Sequence, residues 1–148
     1  MPTYRRILIA VDLTENSVKV AQCGRMLAAA LGSELEIVHV VEPLPISVPI
    51  PPEAVVPTLF DTQEHLIEVA QEKLSSLAAD PGPLRVRWSV EVGSIKTEIL
   101  RIAREHHVDL IVLGSREKHG LAFIFGPTED AVLHAAPCDV LAVRVATS

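Results

Sequence analysis

Apolar positions along this chain fall into two alternating kinds of segment. Short unbroken runs, such as Ile7-Leu8-Ile9-Ala10-Val11 and Leu110-Ile111-Val112-Leu113, have no polar face and fit strands covered on both sides. The first of these strands spans Arg5 to Asp12. Between the runs, apolar residues recur at helical spacing. Val18, Ala21, Gly24, Ala28 and Leu31 predict a helix behind the cap chemistry of Thr14, Asn16 and Ser17, and Gly32 stops it. A second strand is expected over Glu34 to Val41. Asp61-Thr62-Gln63-Glu64 reads as a capping-box start to a helix with the apolar face Leu66, Ala70, Leu74 and Leu77, broken by Asp80-Pro81-Gly82-Pro83. Arg85 to Val92 alternates polar and apolar side chains, as an edge strand with one solvated face does. Gly93 turns the chain, and Ser94 caps a helix with the stripe Ile95, Ile99, Ile102 and Ala103. Asp109 to Gly114 is the next strand, Pro127 to Ala135 a short helix ended by Pro137, and Asp139 to Val145 the last strand.

Strands and helices therefore alternate as β-α-β-loop-α-β-α-β-α-β. That order specifies an α/β domain with a parallel sheet and right-handed crossovers. A length of 148 residues suits one domain, residues 1–148, with a core of ordinary size. Residues 42–60 interrupt the pattern with Pro43, Pro45, Pro49, Pro51, Pro52 and Pro57, interleaved with Ile and Val. Proline fixes φ and removes backbone donors, so this stretch is expected to be extended and irregular. It reads either as an insertion lying on the surface or as a segment that covers a crevice or meets a partner.

Composition narrows the picture. Apolar residues make up 49% of the chain but aromatic ones only 3%, so the core must be aliphatic. A formal net charge of −6, without a Lys/Arg block, argues against a nucleic-acid surface. The first apolar run is far too short for a membrane span and has no signal-peptide cleavage pattern, so a cytoplasmic protein away from membranes is expected. Cys23 and Cys138 are distant from each other and form no CxxC motif, which suggests two small buried thiols. The histidines His39, His65, His106, His107, His119 and His134 show no metal-ligand spacing. His106-His107 ends a predicted helix, where positive charge suits the dipole.

In an open parallel sheet, ligands bind beyond the carboxyl ends of the strands where the strand order reverses. Two strand ends stand out: Ala10-Val11-Asp12-Leu13 and Gly114-Ser115-Arg116. If the first and fourth strands are neighbours, they frame one crevice. Asp12 then reads either as an acceptor for a ribose or an amine, or as a helix-cap or turn residue. Ser115 is not part of a GxSxG elbow, and no nucleophile–base pair is legible, so catalysis is not expected.

Several of these segments, in order, resemble the universal stress protein family. The resemblance rests on Ile7 to Asp12, on Leu31-Gly32 with Leu35 to Val40, on Val92-Gly93 with Ile99 and Ala103, on Asp109 to Arg116, and on Ala136 to Val143. It covers about Tyr4 to Val145, and the ordered set carries it rather than any one piece. It implies a Rossmann-like, adenine nucleotide alpha hydrolase-like fold: a five-stranded parallel sheet of order 3-2-1-4-5 with helices on both faces. It also implies a homodimer paired through the last strands, and stress-linked roles. Some members bind ATP, through Gly, two residues, Gly, nine residues, then Gly and Ser or Thr. Glycines let backbone N–H groups close around phosphates beside a helix N-terminus.

In this chain Gly114 matches the first glycine, and Glu117 stands at the second. Gly126 matches the third with the loop one residue short; Pro127 replaces the Ser/Thr, and Thr128 follows one position later. Glu117 opposes polyphosphate, whereas Arg116, Lys118 and His119 compensate if they point inward. Leu121-Ala122-Phe123-Ile124-Phe125 reads as core packing under the loop or as a contact patch. The candidate ligand residues are thus Ala10, Asp12, Val40, Gly114, Arg116, Gly126 and Thr128. Two functions follow: a stress-response or regulatory protein without its own catalysis or cofactor, or a switch that binds ATP or AMP in the crevice. The last strand, Val140 to Val145, is apolar and expected at a sheet edge, which suits pairing with a second copy.

Overall fold

The computed structural model describes residues 4–43, 52–79, 82, 84–116 and 127–145, and side chains throughout these except at 52–61, 116, 127 and 128. Among these residues five strands form one sheet: β1 (Arg6–Ala10), β2 (Glu34–Val41), β3 (Val86–Val92), β4 (Leu110–Arg116) and β5 (Asp139–Val145). They alternate with α1 (Ser17–Leu31), α2 (Pro52–Ala78), α3 (Ile95–Glu105) and α4 (Pro127–Ala135). The order is β3-β2-β1-β4-β5 and every neighbouring pair is parallel, which is the expected 3-2-1-4-5 sheet. β1 pairs β4 with Ile7 opposite Leu110 and Ile9 opposite Val112.

The central strand is apolar on both faces because helices cover both. Ile7 and Ile9 pack with Val20 and Ala28 of α1 and Leu74 of α2. Leu8 packs on the other face with Ile99 and Ile102 of α3 and Val132 of α4. Each such aliphatic side chain contributes roughly 1.5–3 kcal/mol by leaving water. Polar clamps tie the amino ends of the strands. Asp109 Oδ2 accepts the Arg5 and Arg6 amides at 2.8 and 3.0 Å, and Tyr4 Oη donates to Asp139 Oδ2 at 2.9 Å. The hydrogen bond to Asp139 raises the Tyr4 pKa above the ordinary phenol value, helped by burial.

The structure departs from several expectations. β1 ends at Ala10, not Asp12, because the chain then turns through Leu13 at φ 61°. The buried stripe of α1 is Ser17, Val20, Ala21, Gly24 and Ala28, while Val18 and Leu31 face outward. Apolar character alone chose the wrong neighbour of Val20. α2 starts at Pro52, so Asp61 lies inside the helix and its capping-box reading fails. Pro52 is well suited to a first helical position, and Pro57 costs one ladder hydrogen bond near the start. Half of the proline-rich stretch is therefore helical, and residues 44–51 lie outside the described residues. Leu66 is exposed, while Ala70 and Leu74 are buried as expected. β3 is an edge strand, but Trp88 on it is 40% exposed, so its alternation is incomplete. Both cysteines are half-buried free thiols rather than buried ones. Burial raises the Cys138 pKa above the ordinary thiol value, with the charges of Asp139 and Asp109 adding to it.

Candidate crevice at the carboxyl ends of β1 and β4

Beyond the last paired residues of β1 and β4 lies a cavity of about 320 Å3. It occupies the point where successive connections diverge to opposite sides of the sheet. Ala10, Asp12, Val40 and Gly114 all line it. Four of the expected residues therefore meet in one place, although they are far apart in sequence. The backbone of Arg116 ends β4 opposite Val145, and the backbone of Thr128 lies at the start of α4. Gly126, Glu117 and the run Leu121 to Phe125 lie outside the described residues.

Asp12 is built into the turn that joins β1 to α1. Thr14 donates to Asp12 Oδ1 from its amide at 3.0 Å and from its hydroxyl at 2.7 Å. The Ser17 hydroxyl donates to the same oxygen at 3.0 Å. This is a side chain mimicking a backbone turn. The turn reading and the crevice reading of Asp12 thus describe the same residue, since it is exposed on the crevice lining while it orders the loop. Leu13 beside it holds a left-handed conformation that costs a branched side chain about 1–2 kcal/mol.

Gly114 has a packing reason beside the one its motif suggests. A Cβ there would stand 3.2 Å from Val20 Cγ2 and 3.7 Å from Val145 Cγ1. The missing side chain lets α1 approach β4 and leaves the cavity floor open. Ser115 points to the opposite face, and its buried hydroxyl has no hydrogen-bond partner among the described residues.

Sequence reasoning missed Ser17, Val20, His39 and Glu129 on this lining. His39 carried a signal, since it is a lone polar ring in an apolar strand. Its Nδ1 lies 2.8 Å from the Val11 carbonyl, which only accepts, so Nδ1 carries the proton. Val11 in turn donates its amide to the Val38 carbonyl at 3.0 Å. The two bonds hold the end of β1 against β2 just before Asp12. Glu129, in the first turn of α4, had no signal before the helix was placed against the crevice. Apart from Asn16 and Gly114 the rest of the lining is aliphatic, with Ile95 and Ile99 of α3 closing one wall. Among the described residues no group of His, Cys, Asp and Glu has the arrangement of a metal site. Among them, too, no helix is long and apolar enough to cross a membrane.

Comparison with known proteins agrees with this architecture. The model of the universal stress protein family matches residues 3–144. Universal stress protein A homolog 2 of Coxiella burnetii is 34% identical over 146 residues, which cover 98% of each chain. The solved structure of universal stress protein UspA from Lactobacillus plantarum superimposes with a TM-score of 0.73 at 24% identity, covering 95% of this chain and 98% of that one. A universal stress protein solved in complex with cAMP gives a TM-score of 0.61 at 19% identity, over 95% and 97% of the two chains. With its sheet order, its crevice and a family match over nearly its whole length, this chain belongs to the universal stress protein family.

Proposed function

We propose that this chain is a regulatory stress-response protein without catalysis of its own, whose crevice takes an adenosine-type ligand. The single observation that carries the reading is the cavity of about 320 Å3 that gathers Ala10, Asp12, Val40 and Gly114 at the β1/β4 divergence. Its volume falls in the lower part of the range for small-molecule sites, roughly 300–1,000 Å3. Its aliphatic walls suit a base, and Asp12 at the mouth suits ribose hydroxyls. The related protein solved with cAMP supports this ligand class. The reading without catalysis is supported by Ser17, whose hydroxyl donates to Asp12 as part of the β1–α1 turn rather than to a histidine.

Calorimetry with adenosine, AMP, cyclic AMP and ATP tests the reading. At least one is expected to bind with micromolar affinity, with no phosphate or pyrophosphate released over hours. Asp12→Ala is expected to weaken that binding by at least about tenfold, the loss of a charged hydrogen bond to a hydroxyl. Absence of heat with all four compounds sinks the ligand, and steady turnover sinks the non-catalytic half. The protein is further proposed to act as a homodimer paired through β5.

A further inference from the structure

The charges on the crevice walls carry a preference that rests on the adenosine reading above. We infer that Glu129 makes the crevice discriminate against polyphosphates, so that its ligand carries at most one phosphate. The start of α4 is where a phosphate ordinarily gains, since free N–H groups and the helix dipole attract anions there. In this chain the first turn of α4 already holds two carboxylates, Glu129 and Asp130.

The two acids have different surroundings. Asp130 is exposed, and its Oδ1 lies 3.3 Å from His134 Nδ1. Glu129 is half-buried and lines the crevice. Asp12 reaches the same lining from the end of β1. The described residues that line the crevice include neither Lys nor Arg. Lys19 on α1 donates instead to the Arg144 carbonyl at 2.6 Å. Negative charge rises from adenosine through the monophosphate to the triphosphate. Each added charge meets Glu129 in a partly enclosed space, where like charges repel more strongly than in water.

The test titrates the full chain with adenosine, AMP and ATP in EDTA, so that no metal ion masks the phosphates. Wild type, Glu129→Gln and Asp130→Asn are compared. In the wild type, ATP is expected to bind at least about tenfold more weakly than AMP, the size of effect a nearby carboxylate produces. Glu129→Gln should shrink that gap by about fivefold or more, and Asp130→Asn should leave it unchanged. Asp130 serves as the control because it changes the same helix end and the same net charge away from the lining. ATP binding as tightly as AMP to the wild type overturns the inference. So does an unchanged gap in Glu129→Gln, or an equal closing of the gap in Asp130→Asn. These three results leave the crevice reading standing. If the wild type binds none of the compounds, the crevice reading falls and the inference falls with it.

Discussion

Asp12 serves the fold and the crevice at once. Its Oδ1 accepts three hydrogen bonds from Thr14 and Ser17, so removing it loosens the β1–α1 turn as well as the crevice mouth. Urea unfolding of Asp12→Ala should show a loss of about 1–2 kcal/mol, which leaves most of the molecules folded in the binding assay. Gly24 is a second residue whose role is set by contact. A Cβ on Gly24 would run into the side chain of Ile9, which is fully buried. Overpacking of this kind costs about 1–3 kcal/mol, and the better helix propensity of alanine returns up to about 1. Gly24→Ala is therefore expected to lower the urea midpoint, and an unchanged or raised midpoint would show that Ile9 finds another rotamer. Neither contact was legible along the chain. Gly24 was placed on the buried stripe of its helix by spacing, but its partner lies on β1.

The ends of α1 and α3 show one device built from two different residues. In both, a left-handed residue follows the last turn, and the next amide reaches back across the turn. Ser33 donates to the Ala28 carbonyl at 2.9 Å after Gly32 at φ 69°, and Val108 donates to the Ala103 carbonyl at 2.9 Å after His107 at φ 52°. Gly32 was expected as a stop. His107 was read only as a charge near the dipole, because a histidine does not announce a left-handed conformation. Its side chain is exposed, so replacing it loses little packing. His107→Gly should stabilise the protein by about 0.5–1 kcal/mol, measured as a higher urea midpoint at an unchanged slope. A lower midpoint would mean that the ring makes a contact worth more than the strain. The start of α2 has the reverse history. Asp61-Thr62-Gln63-Glu64 carries a real capping signature, yet the helix begins at Pro52. Local signals mark where a helix is able to start, and the helix extends further when its chain prefers that to an irregular path.

At the scale of the molecule, the two sheet edges differ. β3 exposes Arg87 and part of Trp88, whereas β5, at the other edge of the sheet, presents Val140, Leu141 and Val143 partly exposed. A mixed charged edge resists association, and an apolar one invites it. Light scattering at micromolar concentration is expected to give the mass of a dimer. Ala142→Asp, which puts a charge at an exposed position of β5, should shift it toward monomer by at least about tenfold in dissociation constant, since two-fold pairing brings the two charges together. A monomer mass for the wild type would remove the homodimer from the proposed function.

The sequence by itself determined the alternation of strands and helices, the parallel sheet and its family. Buried strands must be apolar on both faces, and that requirement is written into consecutive residues. It also marked Asp12 and Gly114, because strand ends at a reversal of order are where ligands bind. Tertiary structure alone decided what surrounds them. His39 and Glu129 reach the crevice because β2 lies beside β1 and α4 begins against β4. No periodicity records which side chains from distant segments share a wall, since that depends on how helices seat on the sheet. Charge on that wall is set by packing rather than by pattern.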